Sequence, residues 1–97
     1  MDGHAAHGMH LDSEVRQTAL KRMKSISGHL EGITRMLEND STYCVDVLKQ
    51  IKAVEGALDR IGDMVLQSHL KHHVVSAKER GDTDHIVAEL MDVLKYR

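Results

Sequence analysis

Phenylalanine, tryptophan and proline are absent from the 97 residues, cysteine occurs once, and the aromatic complement is Tyr43 and Tyr96 alone. Each absence excludes something. Without proline, and with few clusters of β-branched residues, the chain points away from sandwiches and barrels and towards long uninterrupted helices. With 41% hydrophobic residues but only 2% aromatic, one copy makes a thin bundle, so association is the expected way to complete the core. A lone cysteine cannot close a disulfide within the chain, which places the protein in a reducing, cytoplasmic compartment. The formal net charge of −2 excludes a globally basic nucleic-acid binder, though not a local basic patch. No apolar run approaches the roughly 18 residues of a membrane span, so no membrane partner is expected. The opening MDGHAAHGMH lacks the charged and apolar regions of a signal peptide. What the chain does have is histidine: eight, against 13 lysines and arginines.

Residues 1–12 read as a flexible tail containing His4, His7 and His10, and residues 13–97 as one all-helical domain. Leu20, Met23, Ile26, Leu30, Ile33 and Leu37 recur at helical spacing, predicting a first helix from Asp12 or Ser13 to Glu38. Asn39-Asp40-Ser41-Thr42 is a polar break, with Ser41 or Thr42 placed to cap the next helix. From Tyr43, the residues Val47, Ile51, Val54, Leu58, Ile61 and Val65 alternate spacings of four and three, the signature of a heptad seam. This second helix is predicted to run to Lys78 and to be closed by Gly81. A third covers Thr83–Tyr96, with Ile86, Leu90, Val93 and Leu94 on its apolar side. The expectation is an all-α, three-helix protomer with a long central helix. That helix, about 36 residues and about 54 Å long, is too long for so small a chain to cover. Its seam calls for a second copy running antiparallel, because a hairpin with the first helix accounts for only part of it.

The metal-ligand candidates are Cys44, His69 and His73, with His72, His29, His85 and the tail histidines behind them. His69 and His73 are four apart and share one helix face, so they can share one metal. Cys44 precedes His69 by 25 residues on the same helix, about 37 Å along its axis. Metal–ligand bonds are only about 2–2.3 Å, so the three meet only between antiparallel copies. One thiolate and two imidazoles suit Cu(I), and also Zn(II), Ni(II) or Co(II) if further ligands join. The closely spaced cysteine pairs of structural zinc sites are missing.

The stretch TYCVDVLKQIKAVEGALDRIGDMVLQSHLKHHV, together with RMKSISGHLEGITRMLE in the first helix, resembles the CsoR/RcnR-like family of metal-, formaldehyde- and persulfide-responsive repressors. The resemblance covers about residues 15–96 and is most like the copper-sensing branch. It implies antiparallel dimers pairing into a disc-shaped homotetramer. Cys44, His69 and His73 match the family's ligand positions as a Cys-His-His variant. Tyr43 and Glu89 match an outer hydrogen-bond network in which Nδ1 of the first histidine links binding to the DNA-competent state. The final histidine is also similar to the nickel/cobalt branch, for which His4, His7 and His10 would add ligands. The persulfide branch needs a second thiol and the formaldehyde branch a proline.

Arg16, Lys21, Arg22 and Lys24 lie in a stretch, Val15 to His29, without one acidic residue. Arg35, Lys49, Lys52 and Arg60 extend this patch, which repeats on an oligomer and can contact many phosphates. By resemblance, Arg22 and Arg60 match residues needed for operator binding. No helix-turn-helix or zinc finger is visible. No phosphate loop or catalytic grouping is present, so the chain does not read as an enzyme. The expected function is a repressor whose apo form binds operator DNA and whose Cu(I) form releases it, derepressing copper efflux and homeostasis genes. The alternatives are a Ni(II)- or Co(II)-sensing repressor and, in a different class, a copper buffer or chaperone that does not bind DNA.

Overall fold

Three helices follow one another along the chain: α1 (Ser13–Glu38), α2 (Cys44–Arg80) and α3 (Thr83–Val93), with a closing 3₁₀ turn at Leu94–Tyr96. This computed structural model describes residues 8–9, 11–81 and 83–96, the side chains of 73–78, 80 and 83 excepted. His4, His7 and His10 lie outside the described residues, as does the side chain of His73.

Local chemistry sets the helix ends. Asp12 is the residue before α1, and its carbonyl accepts the Arg16 N–H at 2.9 Å. Glu14 in the first turn and Arg35 in the last complement the helix dipole. After Glu38, the Ser41 N–H donates to Asn39 Oδ1 at 2.9 Å and the Thr42 N–H to the Asn39 carbonyl at 3.0 Å. This turn corrects the expectation that Ser41 or Thr42 caps α2. Asn39 captures their backbone N–H groups, so the helix begins later. The residue before α2 is Tyr43, whose carbonyl accepts the N–H groups of Asp46 and Val47 at 3.0 and 3.4 Å. At the far end α2 continues two residues past Lys78, and Gly81 stops it with a φ of +73°. That left-handed conformation is open to glycine without the Cβ clash that other residues meet. The third helix turns 3₁₀ at Leu94, which leaves Leu94 exposed where a continued α-helix would have kept it beside Ile86 and Leu90.

The chain divides into two compact units, Asp12–Val65 and the helical part of Leu66–Arg97. In the first, α1 and the opening turns of α2 form an antiparallel hairpin across the short 39–43 turn. Ile26 and Ile33 of α1 pack with Val47, Val54 and Ile61 of α2, flanked by Ala19, Met36, Ala57 and Val65. The seven-residue spacing on both helices marks coiled-coil packing. Only half of the α2 seam is used, however. Ile51 and Leu58 remain 38% and 43% exposed, and Met23, Leu30 and Leu37 of α1 are more exposed still. On a helical wheel these five residues fall on the same side of the buried stripe, giving the hairpin one apolar edge and, opposite it, one polar edge. In the second unit, Ser68 in the C-terminal half of α2 and Ile86 of α3 are buried.

Candidate metal centre and nucleic-acid interface

Cys44 is the first residue of α2, exposed and free of any disulfide. Tyr43 beside it is also exposed. A thiol in this position is open to a metal, in contrast to the buried cysteine that behaves as a small hydrophobe.

In the second unit, His69 of α2 faces Glu89 of α3. The His69 Nε2–H donates to Glu89 Oε1 at 2.6 Å, with both side chains about three-quarters buried. His85, one turn before Glu89, has its Nε2 4.0 Å from the other carboxylate oxygen. A carboxylate accepting from Nε2 selects the tautomer whose lone pair sits on Nδ1, and it orients the ring. This is the usual support of a metal-binding imidazole. The nitrogen that meets Glu89 is Nε2, which leaves Nδ1 as the nitrogen suited to a metal. The donor set fits a soft metal: one accessible thiol and an imidazole with its tautomer fixed. Among the described residues of one chain, no three His, Cys, Asp or Glu side chains converge to hold an ion. His72 is exposed on α2, and the α2 helix carries His73 four residues after His69.

The basic residues separate into two groups. Lys21 and Lys24 are exposed on the face of α1 turned away from the hairpin core, with Arg16 exposed one heptad before Met23. Arg22 lies at the polar edge instead, where its guanidinium donates to Met64 Sδ of α2 at 3.2 Å. Arg60 of α2 joins Arg22 around one cleft between the two helices. His29, seven residues after Arg22, donates from Nε2 to Gln50 Oε1 at 2.5 Å. His29, a spare metal-ligand candidate by sequence, and Ser25 both line this cleft. Their spacing of three and seven from Arg22 is the signal that puts all three on one helix face. None of the described helices is long and apolar enough to cross a membrane.

A three-helix protomer whose long helix carries both an open thiol and a carboxylate-anchored imidazole belongs to the metal-sensitive transcriptional repressor family, whose model matches residues 15–96. The chain is similar to the copper-sensing transcriptional repressor CsoR of Bacillus subtilis, with 38% identity over 97 aligned positions, 98% of this chain and 95% of that protein. It is also 43% identical over 81 residues to the copper-sensing repressor CsoR of Mycobacterium bovis, covering 84% of this chain and 67% of that one. Among solved structures it resembles the copper-sensing repressor CsoR with Cu(I) from Geobacillus thermodenitrificans. The TM-score is 0.78 and the identity 38%, over 88% of each chain.

Proposed function

We propose that this protein is a copper-responsive transcriptional repressor. The metal-free form holds operator DNA, and ligation of Cu(I) by Cys44, His69 and His73 releases it, derepressing genes of copper efflux and homeostasis. The observation that carries the reading is the His69–Glu89 hydrogen bond, found in a chain 38% identical to a repressor solved with Cu(I). Two more features support it. Cys44 offers a soft, open thiol. The cationic edge of the hairpin offers Arg22 and Arg60 to DNA phosphates, with the exposed Arg16, Lys21 and Lys24 adding charge from elsewhere on α1.

The working unit in this reading is an antiparallel dimer, two of which pair in a homotetramer. The apolar edge of Met23, Leu30, Leu37, Ile51 and Leu58 is the surface a second copy would cover. Cys44 and His69 are 25 residues apart on one helix, about 37 Å at 1.5 Å per residue, so each site takes its thiolate from one copy and its imidazoles from the neighbour. Tyr43 and Glu89 then act as the outer hydrogen-bond partners. Residues 13–97 serve as the metal-sensing and DNA-binding domain, in the cytoplasm, with 1–12 as a histidine-containing tail. By linkage, DNA weakens metal binding by the same factor by which metal weakens DNA binding.

An anaerobic gel-shift on promoter DNA tests the function. Metal-free protein is expected to retard the DNA and Cu(I) to release it. Release by Ni(II) but not Cu(I) would move the assignment to the nickel/cobalt reading, and no retardation at any salt would favour a copper buffer. Replacing Glu89 by Ala is expected to lower Cu(I) affinity about 10- to 100-fold, as loss of an outer-shell partner does, with metal-free DNA binding unchanged. A competition titration against a Cu(I) chelator reads this directly. An unchanged affinity would mean that Glu89 only packs α3.

A further inference from the structure

The cleft on the polar edge of the hairpin has a composition that the metal response does not use. Arg22, Ser25, Ile26 and His29 of α1 and Ala57 and Arg60 of α2 line an opening of about 380 Å³. Two of the six are arginines, one is a histidine, one is a hydroxyl, and none is a carboxylate. Ile26, buried in the hairpin core, and Ala57 form its apolar floor. Two of the polar groups are already held in place. Met64 Sδ accepts from Arg22, a weak acceptor that an anion readily outcompetes, and Gln50 Oε1 accepts from His29 Nε2.

We propose that this cleft is a seat for one phosphate group of the operator backbone, so that the hairpin clamps a phosphodiester rather than presenting a diffuse basic face. The inference rests on the DNA-binding reading above and adds to it two contact residues, Ser25 and His29, and a defined position for the phosphate. Arg22 and Arg60 supply charge from the two helices, and the forked guanidinium geometry matches phosphate oxygens. The Ser25 hydroxyl donates a hydrogen bond. The His29 ring, held through Nε2 by Gln50 Oε1, lines the cleft beside them. The charged groups lining the cleft with it are Arg22 from α1 and Arg60 from α2.

Fluorescence anisotropy of the full-length, metal-free protein on its promoter duplex, as a function of salt, tests this. Ser25→Ala and His29→Gln are each expected to weaken binding about 3- to 10-fold, the range of one hydrogen-bonded contact. For Arg60→Ala, which removes a charge from the cleft, the slope of log affinity on log salt should also shrink by about one per cleft engaged. Met64→Leu, which removes only the sulfur acceptor, should bind as well as wild type or better. If Ser25→Ala and His29→Gln bind like wild type while Arg22→Ala and Arg60→Ala lose DNA, the arginines act outside the cleft. The clamp is then wrong and the repressor reading stands. If the wild type binds no duplex at all, both fail together. A third arm adds inorganic phosphate at matched ionic strength and follows the His29 ring by NMR. Phosphate that perturbs the ring and displaces DNA supports the shared site. Phosphate that perturbs it without competing with DNA makes the cleft a free-phosphate site and overturns the backbone assignment.

Discussion

Replacing Cys44 by Ala is expected to abolish the copper response while leaving metal-free operator binding intact. The thiolate is the only thiol ligand in the chain, and Cu(I) selects for soft sulfur. Its removal leaves the proposed site with imidazoles only, so the loss of Cu(I) affinity should exceed the roughly 10- to 100-fold cost of losing an outer-shell partner. Allosteric couplings between two ligands are typically about 5- to 150-fold. Wild-type protein should lose DNA affinity within that range on saturation with Cu(I), and the variant should lose none. Cys44 is exposed at the first position of a helix, where alanine is at least as good a helix former. Its stability should therefore stay within about 0.5 kcal/mol of wild type, as for surface substitutions generally. Gel-shifts with and without Cu(I), beside a denaturant titration, separate the outcomes. Loss of DNA binding in the metal-free variant would make the thiol structural.

The second large effect concerns stability. Ile61→Ala should cost about 2–5 kcal/mol, the range for emptying a packed aliphatic site. Ile61 is the most enclosed of the buried hydrophobic residues, 3% exposed, and it packs in a cluster of only five buried side chains. Against the roughly 5–15 kcal/mol that holds a small domain together, this is a large fraction. The midpoint of urea unfolding reports it. Ile51→Ala, the same substitution ten residues earlier on the same helix, removes a side chain still 38% exposed in the single chain. It should weaken self-association instead, making the thermal midpoint more dependent on protein concentration. Equal losses from both substitutions in dilute protein would refute the division of the seam into an internal and an external half.

That division was not legible in the sequence. Ile51 and Ile61 both belong to the heptad pattern, and periodicity assigns them to one stripe. Which of them is buried depends on where Ile26 and Ile33 of α1 lie across the hairpin, and that register is set by the Asn39 turn. The turn itself was misread for a related reason. Ser41 and Thr42 have good capping chemistry, but the side-chain oxygen of Asn39 competes for the backbone and wins locally. The cleft was half legible. Arg22, Ser25 and His29 share a face by spacing, whereas Arg60 and Ala57 join them only because the helices run antiparallel.

The one-dimensional pattern was sufficient wherever the physics is local. Helical periodicity without proline determined three helices, and Gly81 marked the end of the longest because a left-handed residue there favours glycine. The single cysteine ruled out an internal disulfide, and the helical rise between Cys44 and His69 argued for a site shared between copies. Tertiary structure decided what depends on residues distant in the chain. It chose Nε2 of His69 as the nitrogen meeting Glu89, twenty positions away. It set Arg22 and Arg60 around one cleft while leaving Lys21 and Lys24 on the outer face. It also left one apolar edge of the hairpin uncovered. The difference is physical: periodicity depends on neighbours three and four residues away, whereas these pairings depend on the register between helices.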